Sequence, residues 1–299
     1  MKTSWLGIFL LLPSLTACEA PSKIKINSAQ ITSEQAKTIE TNIQRLHPNA
    51  SLEEQQQIAD VAVKAIENLL FVEGGSFDMG DFKAPCEIPS RTYERIDWSP
   101  DNKCYSGPSA MLAGGMYLHK VTLDSYSIAK FETTYADMEV MRKVNGLPIA
   151  DQNLDGTPRV RGSKKFQDRL KKLETYAAFT QTWEDGKNYC QWLGNITALP
   201  FDLPTEAQWE YAARSRGQHY YFATNNGYLQ LKGGGYYDHL SGYRINYTDD
   251  EVNAPKRASN VDAFPSNPLG VYGMSNQVSE WVNDWYAKDY YLNSPEHNP

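Results

Sequence analysis

The segment NPLGVYGMSNQVSEWVNDWY, at residues 267–286, constrains the fold more than any other part of the chain. Its glycine, asparagine and proline residues favour turns and interrupt helices and strands. Such a concentration of Gly, Asn, Glu and Trp is typical of a site, yet few residues follow it. The segment therefore indicates either a complete protein built around this site or a scaffold without its active half.

The N-terminal sequence MKTSWLGIFLLLPSLTACEA predicts a secretion signal over residues 1–17. Its apolar run is shorter than the roughly 20 residues that a membrane-spanning helix needs. Leu-Thr-Ala-Cys resembles a bacterial lipoprotein box, which implies acylation of Cys18, and Glu19 after it implies export to the outer membrane. We therefore expect an outer membrane lipoprotein on the periplasmic side; the alternative is an ordinary cleavage site with a chance cysteine.

The charge balance restricts the class of partner. The chain has 299 residues, 41% of them hydrophobic, and a net charge of -7. Removal of the signal also removes Lys2 and makes the chain still more acidic. Without a basic stripe, nucleic acid is excluded as a partner. The length suffices for one large or two small cores.

The pattern after the signal predicts a tether over residues 18–32, a helical extension over 33–70 and a domain over 71–299. The first helix of the extension covers 33–46, and the second begins at Ser51 with a capping box. The second helix has an apolar face that must be buried, either on the following domain or in a groove of a partner. This face consists of Ile58, Val61, Ala62, Ala65, Ile66 and Leu69.

Short strands and turns are predicted from Phe71 onward. One later helix is capped by Thr133 or Thr134. Another begins at Thr205, where Gln208 completes a capping box.

The chain resembles the formylglycine-generating enzyme, or sulfatase-modifying factor, family over about residues 70–299. The resemblance rests on the ordered segments FVEGGSFDMG, HKVTLDSYSIAKFETTYADM, LPTEAQWEYAARSRG and VDAFPSNPLGVYGMSNQVSEWVNDWY. It implies one compact, loop-rich α/β (α+β) domain related to the C-type lectin-like fold and often stabilised by calcium.

Catalytic members of the family oxidise a substrate cysteine to formylglycine with copper held by two cysteines, which follow an Arg-Gly-Gly-Ser-Trp strand. Neither that strand nor the cysteine pair occurs in this sequence. We therefore expect no catalytic residue and no copper in this chain.

The remaining cysteines suggest structural roles. Cys86 and Cys104 flank a turn-rich loop and are predicted to form a disulfide in the oxidising periplasm. Cys190 is then left over in a predicted helix, and its aromatic neighbours indicate a buried structural thiol.

The resemblance implies a calcium site in the segment 267–286, where relatives bind the ion with side-chain and backbone oxygens. By position, Glu280 is the acidic ligand, Val278 supplies a carbonyl and Asn276 replaces a glycine. Gly273 stands where relatives have a side-chain oxygen, so that ligand is lost. The alternative is a turn packed by Tyr272, Trp281 and Trp285.

Two weaker calcium sites are also predicted. The resemblance implies one with Asn246 and the Tyr247 carbonyl. The other is DQNLDG, in which Asp151, Asn153 and Asp155 match the start of a calcium loop. Its position 12 is Gly162 instead of glutamate, so an ordinary turn is the alternative.

Two functions compete. The first is a non-catalytic lipoprotein that binds another protein in the periplasm, either a toxin delivered by type VI secretion, to which it gives immunity, or a component of envelope machinery. The second is a copper-dependent formylglycine-generating oxidase, active in sulfatase maturation and represented by an incomplete chain. The absent cysteine pair favours the first.

Overall fold

The computed structural model describes only part of the chain. Residues 1–22, Cys86, the predicted ligands Asp151, Asn153, Asp155, Asn246 and Tyr247, and Asn276 lie outside the described residues, and only the backbone of Cys104 is described. The predictions for the signal, Cys18, the disulfide and the two weaker calcium sites therefore stay predictions. The described residues are 23–82, 84–85, 103–104, 117–147, 173–180, 182–220, 222–227, 236–237, 244–245, 259–275 and 277–299.

Side-chain caps fix the starts of the principal helices. Ser51 and Thr205 form the predicted capping boxes with Glu54 and Gln208. Of the two candidates for the next cap, Thr134 is the one whose hydroxyl accepts a backbone N–H. The helices are α1 (Ser33–Leu46), α2 (Leu52–Glu67), α3 (Tyr135–Val144), α4 (Trp183–Thr197), α5 (Glu206–Ala213) and α6 (Tyr290–Asn293).

The described strands form four antiparallel pairs, in which β1 pairs with β6, β2 with β5, β3 with β4, and β7 with β8. The first strand begins at Leu69, directly after α2. The prediction that Leu69 belongs to the helical face is therefore wrong, as is the onset of strands at Phe71. The strands are β1 (Leu69–Val72), β2 (Gly75–Met79), β3 (Ala84–Pro85), β4 (Lys103–Cys104), β5 (His119–Leu123), β6 (Tyr126–Ala129), β7 (Tyr236–Tyr237) and β8 (Arg244–Ile245).

The helical extension packs on the rest of the chain and shares one core with α3 and α4. Ile58 in α2 is fully buried, and Asn42 in α1 donates to the backbone carbonyl of Ile196 in α4 at 3.1 Å. Lys64 in α2 forms a 2.7 Å ion pair with Asp137 in α3. The apolar face of α2 is thus packed within this chain, and the alternative, that it docks in a groove of a partner, is wrong. The core contains Ile39, Ile43, Ile58, Ala59, Met138, Met141, Trp192 and Ile196.

A second core lies between the β2–β5 pair and α5, and it places α5 against the segment 267–286. Glu210 and Arg214, both fully buried, form an ion pair of 2.8 Å within α5. Glu210 also accepts from the Gly80 backbone N–H at 2.9 Å. These bonds fix α5 to the end of β2, so α5 is a firm support for the segment 267–286. The second core contains Val72, Phe77, Met79, Val121, Leu123, Ala207, Tyr211 and Tyr291.

No helix in the described ranges has the length and apolarity needed to cross a membrane.

Cys190 is a free thiol on α4, and burial raises its pKa to about 11. Its side chain is half-buried, whereas the sequence predicted a buried thiol.

Candidate functional site

The segment 267–286 is anchored at its start by Asn267. The buried amide of Asn267 donates to the Ala212 carbonyl at 2.9 Å, at the end of α5. Its side-chain oxygen accepts from the backbone N–H groups of Leu269 and Val271 at 3.1 and 3.0 Å. One side chain therefore closes the turn and joins it to α5, a role that the sequence analysis missed although Asn is a common turn residue.

The next part of the segment approaches the connection between β6 and α3. The Tyr272 N–H donates to the Lys130 carbonyl at 2.8 Å. Gly273 follows with φ of +73°, and a Cβ atom there would lie 2.1 Å from Oε1 of Glu132. The carboxylate of Glu132 therefore occupies the space that a side chain at position 273 would need, so only glycine fits there.

The carboxylate of Glu132 is buried. Both of its oxygens are inaccessible to solvent, and neither accepts a hydrogen bond from the residues that the structure describes. Burial, and then the charge of Glu280, raise its pKa to about 8. The backbone N–H of Glu132 acts in the opposite direction and lowers this pKa. Burial of a carboxylate with so little compensation is unfavourable, so it calls for a physical reason.

Glu280, the predicted acidic ligand, turns its carboxylate toward α5. Its Oε2 accepts from the indole N–H of Trp209 at 2.5 Å. Burial raises the pKa of Glu280, and the bond from Trp209 acts in the opposite direction. Two carboxylates from different elements are therefore held in the same region of the protein interior.

In the part of the chain that the structure describes, no group of three or more His, Cys, Asp or Glu side chains could hold a metal ion. The calcium site with Glu280, Val278 and Asn276 therefore stays a prediction. Of the other predicted ligands, Val278 lies on the exposed side of the segment. Glu132 was missed because it belongs to a distant element, although an acid directly after a strand is a usable signal.

Exposed aromatic side chains occur in the last part of the segment and just before α4. We call them the aromatic surface and define it as Phe179, Trp281, Trp285 and Tyr286. Trp285 is 83% exposed and Trp281 is 45% exposed. The alternative of a turn packed by these tryptophans is therefore wrong, although Tyr272 does pack on Phe131 with ring centroids 4.6 Å apart.

The aromatic surface is held in place by hydrogen bonds to α4 and the residues before it. The Trp281 indole donates to the Thr180 hydroxyl at 2.9 Å, and the Trp183 indole donates to the Val282 carbonyl at 2.8 Å. The rings of Trp183 and Trp285 lie 5.9 Å apart. The exposed rings therefore extend from a fixed backbone.

Residues 54–298 match the family model described as the sulfatase-modifying factor enzyme 1-like domain. Because this match covers most of the chain, the protein belongs to that family. The membership and the mixture of helices and small sheets confirm the predicted loop-rich α/β (α+β) fold of the formylglycine-generating enzyme type.

Several individual proteins are similar over part of their length. The formylglycine-generating enzyme of Mus musculus is 36% identical over 107 residues, which are 36% of this chain and 26% of the enzyme. The corresponding enzyme of Streptomyces coelicolor is 29% identical over 120 residues, or 40% of this chain and 35% of the enzyme. The serine/threonine-protein kinase pkn1 of Chlamydia caviae is 31% identical over 113 residues, 37% of this chain and 14% of the kinase.

The aligned region thus spans about a quarter to a third of the formylglycine-generating enzymes that it matches. Among solved structures, PvdO of Pseudomonas aeruginosa has a TM-score of 0.48 and 23% identity, over 77% of this chain and 75% of PvdO.

Proposed function

We propose that the protein binds another protein through the aromatic surface. The observation that carries this proposal is the exposure of Trp285, Tyr286 and Phe179, at 83%, 66% and 60%. Trp285 and Tyr286 are adjacent in the chain, and Trp281 is bonded to Thr180, the residue after Phe179. Exposed apolar patches are typical of interaction sites. Tryptophan and tyrosine also dominate the energetic centres of protein interfaces.

The support beneath these rings favours binding. The Asn283 N–H donates to the Pro204 carbonyl at 2.8 Å, and Lys187 donates to the Asn283 side-chain oxygen at 2.8 Å. The Asp284 carboxylate accepts from the Glu206 N–H at 2.8 Å, at the start of α5. Because the backbone is fixed before binding, association costs less ordering entropy than a mobile loop would require.

The partner that fits best is a basic protein of the periplasm. The net charge of -7 attracts a positively charged partner and makes the association rate fall with salt. Acylation at Cys18 would hold the protein on the periplasmic side of the outer membrane. A toxin delivered by type VI secretion, or a component of envelope machinery, meets these conditions.

Copper-dependent oxidation of a substrate cysteine is the second candidate, and the similarity to formylglycine-generating enzymes favours it. That reaction requires two cysteines on one copper ion, since thiolates are the soft ligands that copper(I) selects. Cys190 lies on α4, and burial raises the pKa of its thiol to about 11, which opposes thiolate formation. The binding function therefore agrees better with the side chains of this chain.

Site-specific photocrosslinking in cells tests the binding function. A photoreactive amino acid replaces Tyr286, and the matched control carries it at Phe71 on β1, because these residues are 66% and 67% exposed. We expect one prominent adduct from position 286 and none from position 71. Trp285→Ala should remove the adduct, because loss of a central interface tryptophan costs about 2 kcal/mol or more, roughly a 30-fold loss of affinity.

Equal adducts from both positions, or an adduct that Trp285→Ala leaves unchanged, would contradict the proposal. The oxidase is tested separately by incubating the protein and copper with a cysteine peptide. Mass spectrometry that shows conversion of the cysteine to the aldehyde would establish the second candidate instead.

A further inference from the structure

An open groove lies at the C-terminal end of α4, between the helix and the turn that follows it. Its volume is about 630 Å³, which is within the range of ligand-binding sites. Gln191 and Asn195 line the groove from the helix, and Leu199, Pro200 and Phe201 line it from the turn. The groove uses none of the residues of the aromatic surface.

Two backbone features shape this groove. Ala198 ends α4 with φ of +57°, a left-handed conformation that is usually left to glycine. The chain then turns back along the helix, where a Cβ atom at Gly194 would lie 3.1 Å from the Leu199 carbonyl oxygen. The absence of a side chain at position 194 therefore lets the turn approach α4 closely. Strained backbone of this kind is found most often at functional sites.

The polar groups of the groove include hydrogen-bond acceptors. In a continued helix, the Leu199 N–H would donate to the Asn195 carbonyl. In this structure it donates to the Thr197 hydroxyl at 3.2 Å, and the Asn195 carbonyl is left available to a ligand. The side chains of Gln191 and Asn195 are exposed, and each adds a carboxamide oxygen.

The electrostatics of the groove favour a cation. The C-terminal end of a helix has a partial negative charge, which attracts positively charged groups. α4 has two acidic residues in its first turn and no basic residue in its last turn, so the helix itself supplies no cation there. The net charge of -7 adds to the attraction.

We propose that this groove binds an aliphatic primary amine. An ammonium group has three donors, and the carboxamide oxygens of Gln191 and Asn195 and the Asn195 carbonyl are acceptors for them. The aliphatic stem lies on Leu199, Pro200 and Phe201, as the stems of lysine side chains lie on apolar surfaces.

An ammonium group fits this groove better than a guanidinium group. The planar guanidinium is matched by carboxylate and phosphate groups, and none of the side chains that line the groove is a carboxylate. The amine is either a small molecule free in solution or a lysine side chain of another protein. Both present the same ammonium group on an aliphatic stem.

Ligand-observed NMR with the full-length protein in detergent tests the groove and distinguishes the two sources. The probes are n-butylamine, which matches the lysine side chain, and a short peptide with one lysine between glycines. The control peptide carries acetyl-lysine, which has no charge. We expect saturation transfer to at least one amine probe and none to the acetylated peptide. Binding of the lysine peptide alone identifies a protein ligand, and binding of butylamine alone identifies a free amine.

Variants of the lining residues assign the signal to the groove. Asn195→Leu and Gln191→Leu should each weaken binding by about tenfold, because each removes an acceptor of a charged group. Asn188→Leu is the matched control, since Asn188 is an exposed residue of α4 outside the groove. Circular dichroism checks that all three variants are folded. The proposal is overturned if neither amine binds, if the acetylated peptide binds equally, or if Asn195→Leu and Gln191→Leu behave like Asn188→Leu.

Discussion

Truncation of Ile58 to alanine tests whether the helical extension and the rest of the chain form one folding unit. Ile58 lies in α2, is fully buried, and belongs to the core that also contains Ile39 of α1, Met138 of α3 and Trp192 of α4. Because four helices contribute to this core, the cavity left by the truncation weakens all of them together.

The expected loss is about 3–4 kcal/mol. Burial of an isoleucine side chain contributes about 1.5–3 kcal/mol, and the cavity adds to the cost, so that Ile→Ala changes in cores range over about 2–5 kcal/mol. We take the middle of that range because Ile58 has no solvent exposure. It also lies on α2, which is joined to α3 by the Lys64–Asp137 ion pair.

Urea unfolding followed by both tryptophan fluorescence and far-ultraviolet circular dichroism measures this loss. We expect a single transition whose midpoint falls and whose m-value is unchanged, with the two probes in agreement. Leu292→Ala is the control, since Leu292 is 55% exposed and its truncation should change stability by less than about 1 kcal/mol. A separate early transition seen by circular dichroism alone, or a loss no larger than that of Leu292→Ala, would refute a shared core.

Cys18 and Glu206 lie outside this core and can be tested separately. Cys18→Ser should move the protein from the membrane to the soluble envelope fraction, because it removes the proposed acylation site. Radiolabelled palmitate should enter only the wild-type protein. A variant that stays membrane-bound would contradict the lipid anchor. Burial is the main cause that raises the pKa of Glu206 to about 7 in the folded protein. The unfolded chain therefore releases this proton at lower pH, and the free energy of unfolding should fall as pH rises from about 4.5 to 7. After allowance for partial exposure, Glu206→Gln should reduce this pH-dependent change in the free energy of unfolding by about 1–2 kcal/mol. Glu184→Gln, in the first turn of α4, should leave the change intact. Equal pH profiles of the two variants would contradict the assignment to Glu206.

Local features of the fold could be predicted from the sequence because their causes are local. Ser51 and Thr205 cap their helices through hydrogen bonds to residues three positions away, and the four-residue pattern contains both partners. The apolar face of α2 likewise follows from helical spacing. The end of α2 at Glu67 could not be predicted, because Leu69 continues the spacing but is taken into β1 by pairing with Ala129, which is distant in sequence.

The aromatic surface shows why side-chain type alone did not predict exposure. Because Trp281 and Trp285 are hydrophobic, the sequence favours a turn in which both are packed. In the structure, the Trp281 indole N–H donates to the Thr180 hydroxyl, and Trp281 is 45% exposed. The N–H groups of Trp183 and Asn283 bind backbone carbonyls and direct the segment along α4 and the start of α5. With the backbone so directed, the rings point outward, an outcome that depends on contacts about a hundred residues apart.

The relation between Gly273 and Glu132 depends on a contact that sequence spacing does not reveal. In the sequence, glycine at 273 indicates only a lost ligand, because the residue that fills its space is at 132. In the structure, the Tyr272 bond to Lys130 brings the two positions together, and the positive φ of Gly273 leaves room for the carboxylate. A side chain at 273 would displace Glu132, so glycine there and the buried acid at 132 depend on each other.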